Sequence, residues 1–199
     1  MLSGEFQNFY KTWLNKADSY HTDDLSDIYD RFFTLYVLYN RIYAEVTFTL
    51  VRAGEINLAN RKRFPDLNAA TTYIVKYIGA DKLVTEIERD DTTKEALTKV
   101  CTLVEDGVFH FILDMVTLEP RREDDLNLMR SLKSPDVGKK AMAIVEMIYA
   151  IRCNTFHGNK QFTTVQQKIL IPVSTILRKL IQLAYSKLAD DATTVLERD

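Results

Sequence analysis

Ile148-Tyr149-Ala150-Ile151-Arg152-Cys153-Asn154-Thr155-Phe156-His157-Gly158-Asn159-Lys160 closes a strongly apolar helical run with an Arg, an Asn, a His and then a Gly. Gly accepts the left-handed backbone that commonly ends a helix, so the pattern predicts a terminus at residues 156–158. The chain holds three histidines, and His157 alone stands beside an Arg, an Asn and a Gly break. Imidazole moves protons near neutral pH, and the planar guanidinium fork grips phosphate. The pairing directs attention to phosphate chemistry.

Upstream, Ser134-Pro135-Asp136 has the form of a helix start, with Ser134 as cap and Pro135 as first residue. The helix it opens carries Ala141, Ile144, Val145, Ile148 and Ile151 on one stripe. Downstream, a last helix over residues 163–188 has the stripe Val165, Ile169, Val173, Ile176, Leu177, Leu180, Ala184 and Leu188. Pro172 lies inside it and removes one backbone donor, so a kink is expected there.

The first half repeats the pattern. Phe6, Phe9, Tyr10, Trp13, Leu14 and Ala17 recur at helical spacing over residues 5–20. Asp23 or Asp24 can cap a second, much longer helix running to residue 53. Its stripe is Ile28, Phe32, Leu35, Tyr36, Tyr39, Ile42, Tyr43 and Val46, with no Gly or Pro to interrupt it. Asn40 and Arg41 sit mid-helix among the aromatics; Asn40 is either on the solvated side or bonded to a polar partner in the core. Residues 55–67 read as a loop, with Arg61-Lys62-Arg63 as solvated charges within it. Helices are expected at 68–78, 81–89, 93–105 and 108–118. His110, between Phe109 and Phe111, reads as a core histidine. Residues 119–134 mix both charge signs and read as a solvated connection.

Six glycines and four prolines are few for 199 residues, which suits long helices and argues against an all-β fold. The expected class is all-α, a helical bundle in one domain over 1–199 with a variable middle of short helices and loops at 55–133. A formal net charge of −2 argues against a large, non-specific grip on nucleic acid. Cys101 and Cys153 match no zinc spacing, and no metal or cofactor site is expected. With no signal peptide and no apolar run of membrane length apparent, the expectation is a reduced, cytoplasmic protein without a membrane partner.

Arg152 and His157 stand ~140° apart around a straight helix and ~7.5 Å along it, so they converge on one phosphate only if the helix ends between them or a second chain contributes. The plain alternative is a C-terminal His favoured by the helix dipole, with Arg152 in a surface ion pair. The chemistry of the two residues is that of RNA cleavage by its own 2′-hydroxyl. That reaction needs a base, a proton for the leaving 5′-oxygen and positive charge on the phosphorane, and no divalent ion.

The run from Ile151 to Lys160 resembles the signature of the HEPN superfamily, an Arg followed at four to six residues by a His at the end of a bundle helix. Phe32-Phe33-Thr34-Leu35-Tyr36-Val37-Leu38-Tyr39-Asn40 is similar to the family's early helix, where an aromatic-Asn pair follows an apolar stripe. The resemblance spans residues 24–188, except that 55–133 matches nothing in the family pattern. It implies a bundle of the HEPN type with long second and C-terminal helices, and a homodimer in which two motifs form one composite cleft. It also implies a metal-independent endoribonuclease leaving 2′,3′-cyclic phosphate ends, in a toxin or phage-defence role with an antitoxin or regulatory partner. Arg152 and His157 would be the catalytic pair, with Asn154, Lys160 and Asn40 supporting. Lys160 by itself reads more simply as a solvated side chain. The residue after the Arg, often Asn, Asp or His in the family, is Cys153 here. The alternative is a non-catalytic module that binds a nucleotide or a partner protein.

Overall fold

A computed structural model describes residues 2–21, 24–59, 61–114, 116–117, 119–156 and 164–196. The fold is all-α. Helices α1 (Gly4–Asp18) and α2 (Leu25–Arg52) are followed by a helical run made of α3 (Asp66–Asn68), a π-helical turn (Ala69–Tyr73) and α4 (Ile74–Ile78). Then come α5 (Ala80–Arg89), α6 (Asp91–Glu105), α7 (Arg122–Leu132), α8 (Val137–Phe156) and α9 (Thr164–Leu196).

The 28-residue α2 is the spine. Every member of its expected stripe is buried: Phe32, Leu35, Tyr36, Ile42 and Val46 are fully covered, and Ile28, Tyr39 and Tyr43 nearly so. Burying a side chain of this size stabilises the fold by ~1.5–3 kcal/mol, so this one face accounts for much of the drive to assemble the bundle. Helix α9 packs along it, and α1 lies across it with Phe6 and Ala17 inward. Tyr10 of α1 stacks on Tyr185 of α9 at 3.5 Å between ring centroids, and Arg178 of α9 forks onto Asp18 at 3.0 and 2.8 Å. The middle of the chain joins the same core, since α6 packs on α9 and both α5 and α7 pack on α8.

Tyrosines on a buried face must place their hydroxyls. Tyr39 donates to the Ala70 carbonyl at 2.6 Å, inside the π-helical turn. Tyr43 donates to the Asp66 carboxylate at the start of α3. The helical run over 66–78 is thereby docked on α2, and Gly79 ends it with a φ of 93° that side-chain-bearing residues rarely adopt.

Several expectations are corrected. Residues 108–118 form no helix in their described part; after Gly107 turns the chain at φ 69°, Phe111 and Ile112 give their N–H groups to the Asp125 carboxylate instead of to a preceding turn. Residues 119–134 are not a solvated connection, because they contain α7 and bury Asp125 completely. Helix α8 starts later than Ser134-Pro135: Asp136 caps it by accepting from the Lys139 N–H at 3.0 Å, while Ser134 Oγ accepts from the Asp136 N–H. Helix α9 runs through Pro172 and on past 188 to Leu196, where Tyr77 donates to Asp191 at 2.7 Å and anchors the extra turns. Val165, expected on its buried stripe, is 40% exposed. By length and composition alone, residues Thr164–Thr193 are long and apolar enough to cross a membrane, as the core helix of a bundle also can be, and 61% of the most apolar window is buried within the fold.

Two outcomes are expected. Tyr39→Phe leaves the Ala70 carbonyl buried without its donor and should lower the unfolding free energy by ~1–2 kcal/mol in urea titrations. Asp90 caps α6 by accepting from the Thr93 N–H, and this bond, with Lys179 beside it, holds the carboxyl below its ordinary range. Its stabilisation is therefore fully present above the ordinary carboxylate pKa and fades as pH falls through the lowered one. Wild type and Asp90→Ala should thus converge in melting temperature on acidification; a constant gap would refute this.

Candidate functional site

The end of α8 carries Arg152, and its neighbours come from α2, from α3 and from α8 itself. The guanidinium lies over the Tyr36 ring of α2 at 5.6 Å and over the Tyr149 ring of its own helix at 5.9 Å. Tyr149 stands three residues before Arg152, the spacing at which helical side chains meet. Cys153 Sγ lies 3.9 Å from an Arg152 nitrogen. The Asp66 carboxylate accepts from Tyr43 and, at 3.3 Å, from Tyr149, so one acid ties α2, α3 and α8 together beside the guanidinium.

The electrostatics keep this cluster in defined states. Burial works against the Arg152 charge, but Cys153, Tyr36 and Asp66 outweigh it and hold its pKa above the ordinary value. Burial pushes the phenols up: Tyr149 to about 12, and Tyr36 and Tyr43 well beyond their ordinary range. At neutral pH the arrangement is a permanent cation clasped by neutral rings, suited to meet a phosphate or another anion with a fork of fixed orientation.

Asn154 faces elsewhere. It is only 8% exposed and donates to the Phe111 carbonyl. Two residues on a helix turn ~200°, so Asn154 and Arg152 lie on nearly opposite sides of α8. Asn154 anchors the 109–112 segment, whose Phe111 and Ile112 N–H groups are each 2.9 Å from Asp125 Oδ1. The other Asp125 oxygen lies 3.0 Å from Nδ1 of His110, which is 26% exposed rather than a core residue. A buried carboxylate behind a partly exposed imidazole fixes the orientation of its ring, as in many acid–base sites.

Of the expected site residues, then, Arg152 sits in the tyrosine cage, and Asn154 in the tether to Phe111. Asn40 is one turn along α2 from Tyr36, on the same face, with Oδ1 buried and without a hydrogen-bond partner among the described residues. His157 and Lys160 lie outside the described residues. Sequence reasoning missed the His110–Asp125 pair and Asp66. The signal for Asp125 is weak, one acid of three in Glu123-Asp124-Asp125, because its burial depends on a loop that precedes it. Arg61, Lys62 and Arg63 are exposed, in keeping with solvated loop charges, and the next residue, Phe64, stacks on Tyr43 at 6.3 Å. Both cysteines are unpaired with each other, and burial raises the Cys101 thiol pKa. Among the described residues, no three His, Cys, Asp or Glu gather as metal ligands.

No family model matches the chain, and no curated protein or solved structure matches it.

Asp125→Ala strands two backbone donors and the His110 ring, and should cost ~3 kcal/mol. Asp125→Asn keeps an acceptor for both N–H groups and should cost less than half as much. Equal losses in chemical denaturation would mean that the charge, not the acceptor, holds the segment.

Proposed function

We propose that this chain is a metal-independent endoribonuclease of the HEPN type, acting as a homodimer. The observation that carries the reading is Arg152: a charged fork held between Tyr36 and Tyr149 at the end of a bundle helix, five residues before His157. In this mechanism the 2′-hydroxyl attacks the adjacent phosphate. One His157 takes its proton, and the His157 of the second copy gives a proton to the leaving 5′-oxygen. Arg152 stabilises the charge that builds on the phosphorane oxygens. The products are a 2′,3′-cyclic phosphate and a 5′-hydroxyl. His110, backed by Asp125 and linked through Phe111 to Asn154, is a second acid–base candidate at the same end of α8. Phe48 and Phe64 are 45% and 40% exposed and lie 6.1 Å apart beyond Tyr43, next to three basic residues. Such a surface suits unstacked bases. A toxin or phage-defence role, restrained by an antitoxin or regulatory partner, follows from the same resemblance.

The second reading is a non-catalytic module that binds a nucleotide or a partner protein. It is favoured by the net charge of −2 and by Cys153 in place of the polar residue common after the Arg.

The test is cleavage of a mixed RNA pool in EDTA by wild type, Arg152→Ala and His157→Ala, with end-group analysis. Wild type alone should cut, leaving cyclic-phosphate ends, and each variant should lose at least ~100-fold in rate. His157→Ala should also relieve toxicity on overexpression. Loss of wild-type cutting on chelation refutes the mechanism. No cutting by folded dimer supports the binding module, and equal cutting by all three proteins withdraws the site.

A further inference from the structure

A cleft of about 600 Å³ opens where the end of α1 and the start of α2 meet the α5–α6 joint and the middle of α9. It shares no residue with the Arg152 cluster. Its walls hold Arg31, Arg178 and Lys179 against Asp18, Asp27 and Asp90, a formal balance of zero with His21 neutral. The balance is uneven in space. Arg178 is taken by Asp18, and Lys179 lies 3.5 Å from both Glu86 and Asp90. The N-terminus of α6 is already filled by the Asp90 carboxylate. Arg31 makes no ion pair among the described residues, and its Nε is buried without a hydrogen-bond partner.

The facing wall is also unsatisfied. Ser174 of α9 is 2% exposed, lines the cleft, and its Oγ has no hydrogen-bond partner among the described residues. A helical serine can usually bond the carbonyl one turn back, as Thr175 beside it does to Ile171 at 3.2 Å. A buried hydroxyl left open costs stability, so each such group in a folded protein calls for an explanation. Here a guanidinium without an ion pair and an unmet hydroxyl belong to residues that line one cavity of the size that holds a metabolite.

We propose that this cleft is a binding site for a small hydroxy acid. Its single acid group pairs with the Arg31 fork, one hydroxyl bonds Ser174, and further hydroxyls donate to the cleft's carboxylates. Three acids in the lining disfavour a multiply charged anion such as a polyphosphate, because only one cation is left to receive it. A neutral polyol would leave the guanidinium unmatched. The site is independent of any ribonuclease activity.

The experiment is thermal denaturation of the full chain with lactate, gluconate, glucuronate and quinate, with sorbitol and inorganic phosphate as controls. At least one hydroxy acid should raise the melting temperature by about 3–5 °C at tenfold excess over its Kd, and sorbitol should not. Arg31→Gln should weaken binding at least tenfold by calorimetry. Ser174→Ala should weaken it several-fold while leaving the ligand-free protein as stable as wild type or more so, since an unmet hydroxyl is removed. No shift with any of the four acids overturns the proposal, as does an unchanged affinity in Arg31→Gln. A larger response to phosphate than to every hydroxy acid overturns the class of ligand. A Ser174→Ala protein that melts lower without ligand would show the hydroxyl to be structural, and would remove it from the site.

Discussion

The burial of phenol hydroxyls along α2 constrains everything around them. A helix that turns Tyr39 and Tyr43 into the core gains their ring area, but a hydroxyl carried out of water is costly unless it is met. The Ala70 carbonyl meets Tyr39 and the Asp66 carboxylate meets Tyr43, so the helical run over 66–78 is held in one place on α2. Asp66 has a second oxygen, and Tyr149 of α8 bonds to it. The Arg152 end of α8 is therefore positioned by the same acid that satisfies the core. Ring packing, polar satisfaction and site geometry share one set of residues, and a change in one is felt in the others.

A second polar centre does comparable work for the far side of α8. Asp125 is buried completely, yet it accepts from two backbone N–H groups and faces His110. These bonds replace the helical hydrogen bonds that residues 108–118 would otherwise make. Asn154 completes the arrangement by holding the Phe111 carbonyl. Arg152 and Asn154, two positions apart, thus serve opposite faces of one helix: a cation presented among rings, and an anchor in the interior.

Where the chain leaves polar groups unmet, they are concentrated. Arg31 and Ser174 line one cleft on different helices, and Asn40 stands one turn from Tyr36 on the face of α2 that also meets Arg152. The mixed-charge lining of the cleft and the caged cation at the end of α8 give the two places different chemistries.

Helical class and the course of α1, α2, α5, α6 and α9 were legible because a 3.6-residue period is a local property, readable wherever apolar residues repeat. The buried stripe of α2 agrees with that period residue by residue. The motif around Arg152 was legible for the same reason, since its parts are neighbours in the chain. The fate of 108–134 was not legible, because an apolar run beside a charged run looks like a helix followed by a loop. Only the approach of α7 brings the Asp125 carboxylate to the Phe111 and Ile112 N–H groups and makes the opposite arrangement the stable one. Asp66, the cage around Arg152 and the Arg31–Ser174 cleft were decided in the same way, by contacts between residues distant in sequence. The period of a helix is written into each stretch separately; the partner of a buried polar group exists only once the helices have met.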